Sequence, residues 1–169
     1  VKHVFSFYGS PPIEAGDPID WDGVWHGDRE LTYALNRHQY LLTLAEAWRE
    51  SREPKYVRAF LDHLRDWIAH NPIEPAANWA AWRDLETATR IGTWCDLFFQ
   101  FLPAPQFTPD DQALMLLSLH EQAEWLAPQV RAGRSDWSIS VATGLATVGV
   151  LFPEFKEAAA WRRKAYGEL

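Results

Sequence analysis

The sequence has only one cysteine, Cys95, which excludes a disulfide framework. No apolar run reaches the ~18 residues that a membrane-spanning helix needs, so no membrane partner is expected. Positive charge is not in excess. The formal net charge is −7 and the pI is near 5.3, which argues against nucleic acid as the main partner, because phosphate-binding surfaces are usually basic. Low complexity is missing too: aromatics make up 14% and charged residues 23%, a composition unlike that of a disordered chain. There is no P-loop, no GxGxxG and no GxSxG, and His120-Glu121 lacks the second histidine of a zinc-binding HExxH. Cys95 lies in an apolar stretch and reads as core rather than nucleophile. No segment alternates with period two for long enough to make a strand. The chain begins at Val1 without a signal-peptide pattern, so either a targeting segment has been removed or the sequence is a piece of a longer protein.

What is present is apolar and aromatic. The 169 residues are 47% apolar, enough for the core of one domain. The 10 tryptophans are large side chains that either fill a core or stack on a flat ligand. Residues 1–30 carry three prolines, four glycines and scattered aromatics without a helical period, and read as an ordered, irregular arm.

From residue 31 onward apolar positions recur three and four apart, which predicts six helices and an all-α chain. The first spans about Leu31 to Arg49. The second opens at Pro54 and stops at Asn71-Pro72. The third runs from about Asp84 to Phe101. The fourth begins after the Thr108 cap and ends near Pro128, the fifth runs from about Ser135 to Leu151, and the sixth opens at Pro153. The first, third and fifth are apolar on most sides; the second, fourth and sixth each carry one charged face. Short loops make the pairs antiparallel. Three hairpins with an inner and an outer layer describe part of an α/α toroid, an incomplete barrel, over residues 31–169.

Polar residues that do not belong in a core gather at the N-terminal ends of the inner helices. They are Asn36, Arg37 and His38; Asn78, Trp79, Trp82 and Arg83, then Glu86 and Arg90; and Arg131, Arg134, Ser135, Asp136 and Trp137. Helix N-termini and forked arginines suit an anionic ligand, and tryptophans stack on sugar rings. Each has a plainer role: Ser135 or Asp136 as a helix cap, Glu86 with Arg90 as an ion pair four residues apart, His38 as a hydrogen-bonded core residue. His63 and His70 fall on an outer helix and read as surface.

The run Leu35-Asn36-Arg37-His38-Gln39-Tyr40, followed by Leu44-Ala45-Glu46-Ala47-Trp48-Arg49, resembles the N-terminal domain of the heparinase II/III-like polysaccharide lyases. So do Asp66-Trp67-Ile68 ahead of Asn71-Pro72, the segment Trp82 to Trp94, and Gly144-Leu145 with Gly149, Leu151 to Lys156 and Trp161. The resemblance implies an α/α toroid followed by a β-domain, with β-elimination of a uronate-containing acidic polysaccharide, of the heparan sulfate or alginate type, in the cleft between. It implies no metal or organic cofactor, and a periplasmic or secreted location, although a cytoplasmic one is also compatible with the residues. In the family an Asn at the start of the fifth helix neutralises the substrate carboxylate; that position here is Asp136, and five places on stands Val141. The family's Tyr acid and β-domain His base would lie beyond Leu169, so this segment is expected to bind acidic polysaccharide or oligosaccharide without completing the reaction. Asp136 is the candidate catalytic position. Asn36, Arg37, His38, Trp79, Trp82, Arg83, Glu86 and Trp137 are the candidate substrate contacts.

Two other readings use the same residues. One is a non-catalytic helical scaffold, which lacks support from any repeated 34-residue period. The other is an α/α-toroid glycosidase with Glu86 and Asp136 as its paired carboxylates.

Overall fold

The structure, a computed structural model, describes residues 3–74, 79–133 and 135–168. The predicted positions Asn78 and Arg134 lie outside them. The described residues hold seven α-helices and one two-stranded sheet. β1 (Val4–Phe5) and β2 (Ile13–Glu14) pair antiparallel within the arm, with Phe5 opposite Ile13. The arm is not a loose appendage: Ile13, Ala15, Ile19 and Trp21 are all buried in or against the helical core.

The predicted first helix is broken in two. α1 (Arg29–Arg37) is capped by Asp28, whose side chain accepts from the Glu30 N–H, and it ends at His38 in the left-handed region with φ 60°. A 3-10 turn at Gln39–Leu41 leads into α2 (Leu42–Ser51). The break has a physical reason. The His38 ring is completely buried between Trp21, Trp67 and Trp94, and its Nδ1 accepts from Trp94 Nε1 at 2.9 Å. Histidine tolerates the left-handed conformation better than most residues, so the chain turns there to seat the ring.

α3 (Pro54–His70), α4 (Asp84–Phe101) and α5 (Pro109–Leu126) follow the predicted bounds. Proline opens α3 and α5 at the position where its missing N–H costs nothing, and Thr108 caps α5 by accepting from Asp111 N. α6 (Asp136–Leu151) opens on a reciprocal pair: Ser138 N donates to Ser135 Oγ at 3.1 Å and Ser135 N to Ser138 Oγ at 3.2 Å. The last helix does not start at Pro153. Phe152 leaves the helical region to pack on Phe98 and Phe99, residues 153–157 turn, and α7 spans Ala158–Glu168.

The hairpins α2–α3, α4–α5 and α6–α7 stand side by side. α4 is at the centre, touching α1, α2, α5 and α6, and its contact with α6 is the most extensive between any two elements. This is the expected inner row with its outer row, an arc of an α/α toroid. The core between the rows is aromatic: Phe60 stacks on Phe101 at 4.5 Å and Trp67 meets Trp94 edge-on at 5.4 Å. α6 is not covered all round: Ile139, Val150 and Leu151 are exposed.

Candidate functional site

Arg83 is the residue just before α4, and it anchors the rim. Its guanidinium lies 3.9 Å from the centre of the Tyr33 ring on α1 and 4.9 Å from that of Trp137 at the start of α6. Tyr33 meets Trp79 edge-on at 5.6 Å, and Arg29 covers the Trp79 ring at 4.8 Å. The result is a continuous row of cations and rings, Arg29–Trp79–Tyr33–Arg83–Trp137, drawn from three separate segments. Trp79 and Trp137 keep 36% and 40% of their surface exposed, unlike the core tryptophans. A guanidinium is weakly hydrated and holds its charge while stacked on rings, so the row offers flat apolar faces and fixed positive charge together.

Behind the row lies a buried carboxylate. Glu86 is fully buried, and its Oε1 accepts from Arg37 Nη2 at 2.7 Å. Arg83 Nε stands 3.3 Å from Glu86 Oε2, close enough to attract but misaligned for a hydrogen bond; Oε2 and Arg83 Nη1 are buried without a hydrogen-bond partner. Burial alone would weaken the charge on Arg37, but the hydrogen bond and charge of Glu86 outweigh it and hold Arg37 above the ordinary arginine value. Arg37 Nη1 reaches Tyr8 Oη at 3.3 Å and Nη2 lies 3.7 Å from Glu30.

These positions correct several expectations. Glu86 does not pair with Arg90 four residues along. The Arg90 guanidinium is fully buried over the Trp67 ring at 4.0 Å, donating to Asn36 O at 3.0 Å and Gln122 Oε1 at 2.9 Å. Asn36 is buried, donating to Trp21 O and Thr32 O and accepting from Trp67 Nε1, so it ties the arm to the core and no ligand reaches it. His38 is enclosed by tryptophans, and burial drives it well below its ordinary value, so it stays neutral and structural. Trp82 is buried, its Nε1 donating to Asn71 O and Pro72 O. Glu86, enclosed by two arginines, cannot serve as a glycosidase acid opposite Asp136. Cys95 is buried and its thiol is pushed up to about 12, which makes it inert.

Arg37, Trp79, Arg83 and Trp137 therefore form one connected surface, and Asp136 adjoins it. Asp136 is the exposed first residue of α6; the cap is Ser135, so the Asp136 carboxylate carries no capping bond. Sequence reasoning missed Arg29, Tyr33 and Tyr8. The first two had a signal: residues 29, 33 and 37 are four apart and share one face of α1. Tyr8 had none, because nothing local places the arm against Arg37. Among the described residues, no group of three or more His, Cys, Asp or Glu is placed to hold a metal ion, and no helix is long and apolar enough to cross a membrane.

Comparison with known proteins agrees with this architecture. The family model described as Heparinase II/III N-terminus matches residues 1–169. A heparin-sulfate lyase of Bacteroides thetaiotaomicron is 35% identical over 172 residues, covering 97% of this chain and 24% of that protein. One from Bacteroides stercoris is 30% identical, covering 90% of this chain and 26% of that protein. The crystal structure of a mutant heparan sulfate lyase HepC from Pedobacter heparinus superposes with a TM-score of 0.89 at 27% identity, over 98% of this chain and 26% of that one. The chain thus spans about a quarter of the length of the relatives it matches. It belongs to the Heparinase II/III N-terminus family.

Proposed function

We propose that this chain forms one wall of the substrate cleft in a lyase that cleaves a uronate-containing acidic polysaccharide, of the heparan sulfate type, by β-elimination. The observation that carries this reading is the Arg83 guanidinium held between Tyr33 and Trp137 at the joined N-terminal ends of α4 and α6. Carboxylate or sulfate groups meet Arg83 and Arg37, while the C–H faces of the sugars lie on Trp79 and Trp137. The fixed positive charge is displaced to the cleft side although the chain as a whole is acidic, so a polyanion is attracted locally.

β-Elimination needs a group that neutralises the uronate carboxylate, a base for the C5 proton and an acid for the departing 4-linked oxygen. The arginines of this wall supply the electrostatic part. In this reading the acid and the base are supplied by residues outside this wall. A polymer of this kind is met outside the cytoplasm, and a periplasmic or secreted location follows from this reading.

The test is a product assay on the complete gene product with heparan sulfate. An unsaturated uronate absorbing in the ultraviolet supports the lyase; new reducing ends without that absorbance mean a hydrolase, and neither product means a scaffold. Binding should quench tryptophan fluorescence and weaken with salt. Equal binding of a neutral oligosaccharide of the same length overturns the anionic-substrate reading.

A further inference from the structure

Tyr8 stands at the tip of the β1–β2 hairpin with φ 53°, followed by Gly9 at φ 76°. The left-handed region is uncommon for any residue with a side chain and strained for a bulky one. Glycine would meet the turn's demand at both positions. Yet a tyrosine is there, and it is 72% exposed. Its one close ring neighbour is Phe7 at 6.5 Å, near the limit of useful contact.

The hairpin does not depend on Tyr8 for its place. Phe5 and Phe7 pack on the Tyr40 ring at 5.0 and 6.0 Å, Ile13 is buried, and Ala15 N donates to His3 O at 2.8 Å. These contacts dock the arm and carry the tip over the end of α1. What the tyrosine itself reaches is the binding row: its Oη accepts from Arg37 Nη1 at 3.3 Å, while Nη2 of the same guanidinium grips Glu86. A strained, exposed side chain that contributes little to the core and touches a site cation is the pattern of a functional residue.

We propose that Tyr8 is a ligand-contact residue, through which the N-terminal hairpin closes one end of the sugar-binding row. This rests on the reading of the rim as a wall for acidic polysaccharide. The Oη uses a lone pair on Arg37 and keeps its own O–H free to donate. That O–H and the remaining Arg37 donors converge on one carboxylate or sulfate, and the exposed ring face takes the apolar side of the same sugar. Arg83, across Glu86, holds the anionic group of a different sugar unit.

The complete gene product, with Tyr8→Gly and Tyr8→Phe, is tested with a heparan sulfate oligosaccharide and a neutral one of equal length. Fluorescence titration gives affinity, turnover gives KM and kcat, and thermal unfolding gives Tm. Tyr8→Gly is expected to bind the acidic oligosaccharide at least ~10-fold more weakly, mainly through KM, with Tm unchanged or raised because the strain is relieved. Tyr8→Phe keeps the ring and is expected to lose less than Tyr8→Gly. Unaltered affinity in Tyr8→Gly overturns the proposal, and so does a lowered Tm in that variant, which makes Tyr8 a structural residue. If the unmodified protein does not prefer the acidic oligosaccharide, the rim reading itself fails and takes this proposal with it. If it does prefer it while Tyr8→Gly binds normally, only Tyr8 is misassigned.

Discussion

Gly144 of α6 meets Ala88 of α4 backbone to backbone: a Cβ on Gly144 would stand 2.7 Å from Ala88 Cα and 2.8 Å from its carbonyl oxygen. Both inner helices approach at this point because Gly144 has no side chain and Ala88 has only a methyl group to hold them apart. Trp137 of α6 meets Arg83, the residue just before α4, at the rim. Gly144→Ala is therefore expected to lower stability, since the ~1 kcal/mol gain in helix propensity is outweighed by an overpacking cost of about 1–3 kcal/mol against backbone that cannot yield. Gly92, also in α4, has open space where its Cβ would go. Gly92→Ala should be neutral or stabilising. Thermal unfolding of the two variants checks the pair, and equal shifts would mean that the helices are not in contact here.

His63 makes stability depend on acid. It was expected at the surface of α3, but it lies beneath the arm, with His3 at 5.3 Å, Phe5 at 5.8 Å and Tyr40 at 5.6 Å. Burial first, and then the neighbouring His3, push its pKa from 6.5 to about 4, against the weaker opposite pull of Asp62 and Asp66. The unfolded chain then binds the proton more readily than the folded one. Stability from this group is complete above pH 6.5 and is lost as the pH falls from 6.5 towards 4, at about 1.4 kcal/mol per unit of difference. His63→Phe should flatten the fall in Tm between pH 6.5 and 4.5. An unchanged acid slope would place the sensitivity elsewhere, with the still more deeply buried His38 the first alternative.

The hairpins were legible in the sequence because their signals are local. The 3.6-residue period, the prolines at positions 54 and 109 and the serine and threonine caps act within a turn or two, and they fixed α3 to α6 closely. The site was only half legible. Glu86 has a local partner on offer in Arg90, but its carboxylate is held by Arg37, 49 residues away, and Arg90 is drawn instead to Asn36 and Gln122. His38 and Trp82 look like ligand residues because polar and aromatic groups near a rim serve a core equally well. The difference lies in tertiary hydrogen bonds to Trp94, Asn71 and Pro72 that no spacing reveals. Tyr8 enters through the path of the arm, which has no period to read.

Glu86 limits how strongly the rim attracts anions. Its buried charge is shared by Arg37 and Arg83, at 2.7 and 3.3 Å. Glu86→Gln should lower stability by less than the ~3–5 kcal/mol of a fully buried pair, because the Arg37 and Arg83 side chains keep 16% and 23% of their surface exposed. It should also leave both arginines with uncompensated charge. The expected outcome is a lower Tm together with tighter binding of acidic oligosaccharides at low salt and a steeper salt dependence, read by fluorescence titration below the unfolding range. Weaker binding at all salt concentrations would show that Glu86 matters for holding the arginines in position more than for moderating their charge.

Asp136 gives the sharpest test of the proposed elimination chemistry. It adjoins Trp137, whose ring contacts Arg83, and in the family resemblance it stands where an Asn neutralises the uronate carboxylate. An ionised Asp only accepts hydrogen bonds and repels a carboxylate, whereas Asn donates at any pH. The cap of α6 belongs to Ser135, through its 3.1 Å bond from Ser138 N. Asp136→Asn therefore removes no capping bond and gives up only the favourable placement of a negative charge at a helix start, about 0.3–1 kcal/mol. The complete gene product with Asp136→Asn should accordingly lose little thermal stability while gaining affinity for uronate oligosaccharides and elimination rate at pH 7. A gain of ~1.4 kcal/mol in the transition state appears as a tenfold faster rise in ultraviolet absorbance. A small loss of Tm with no change in affinity or rate would leave Asp136 as a helix-start charge and move the carboxylate-neutralising role to Arg83 or to residues outside this chain.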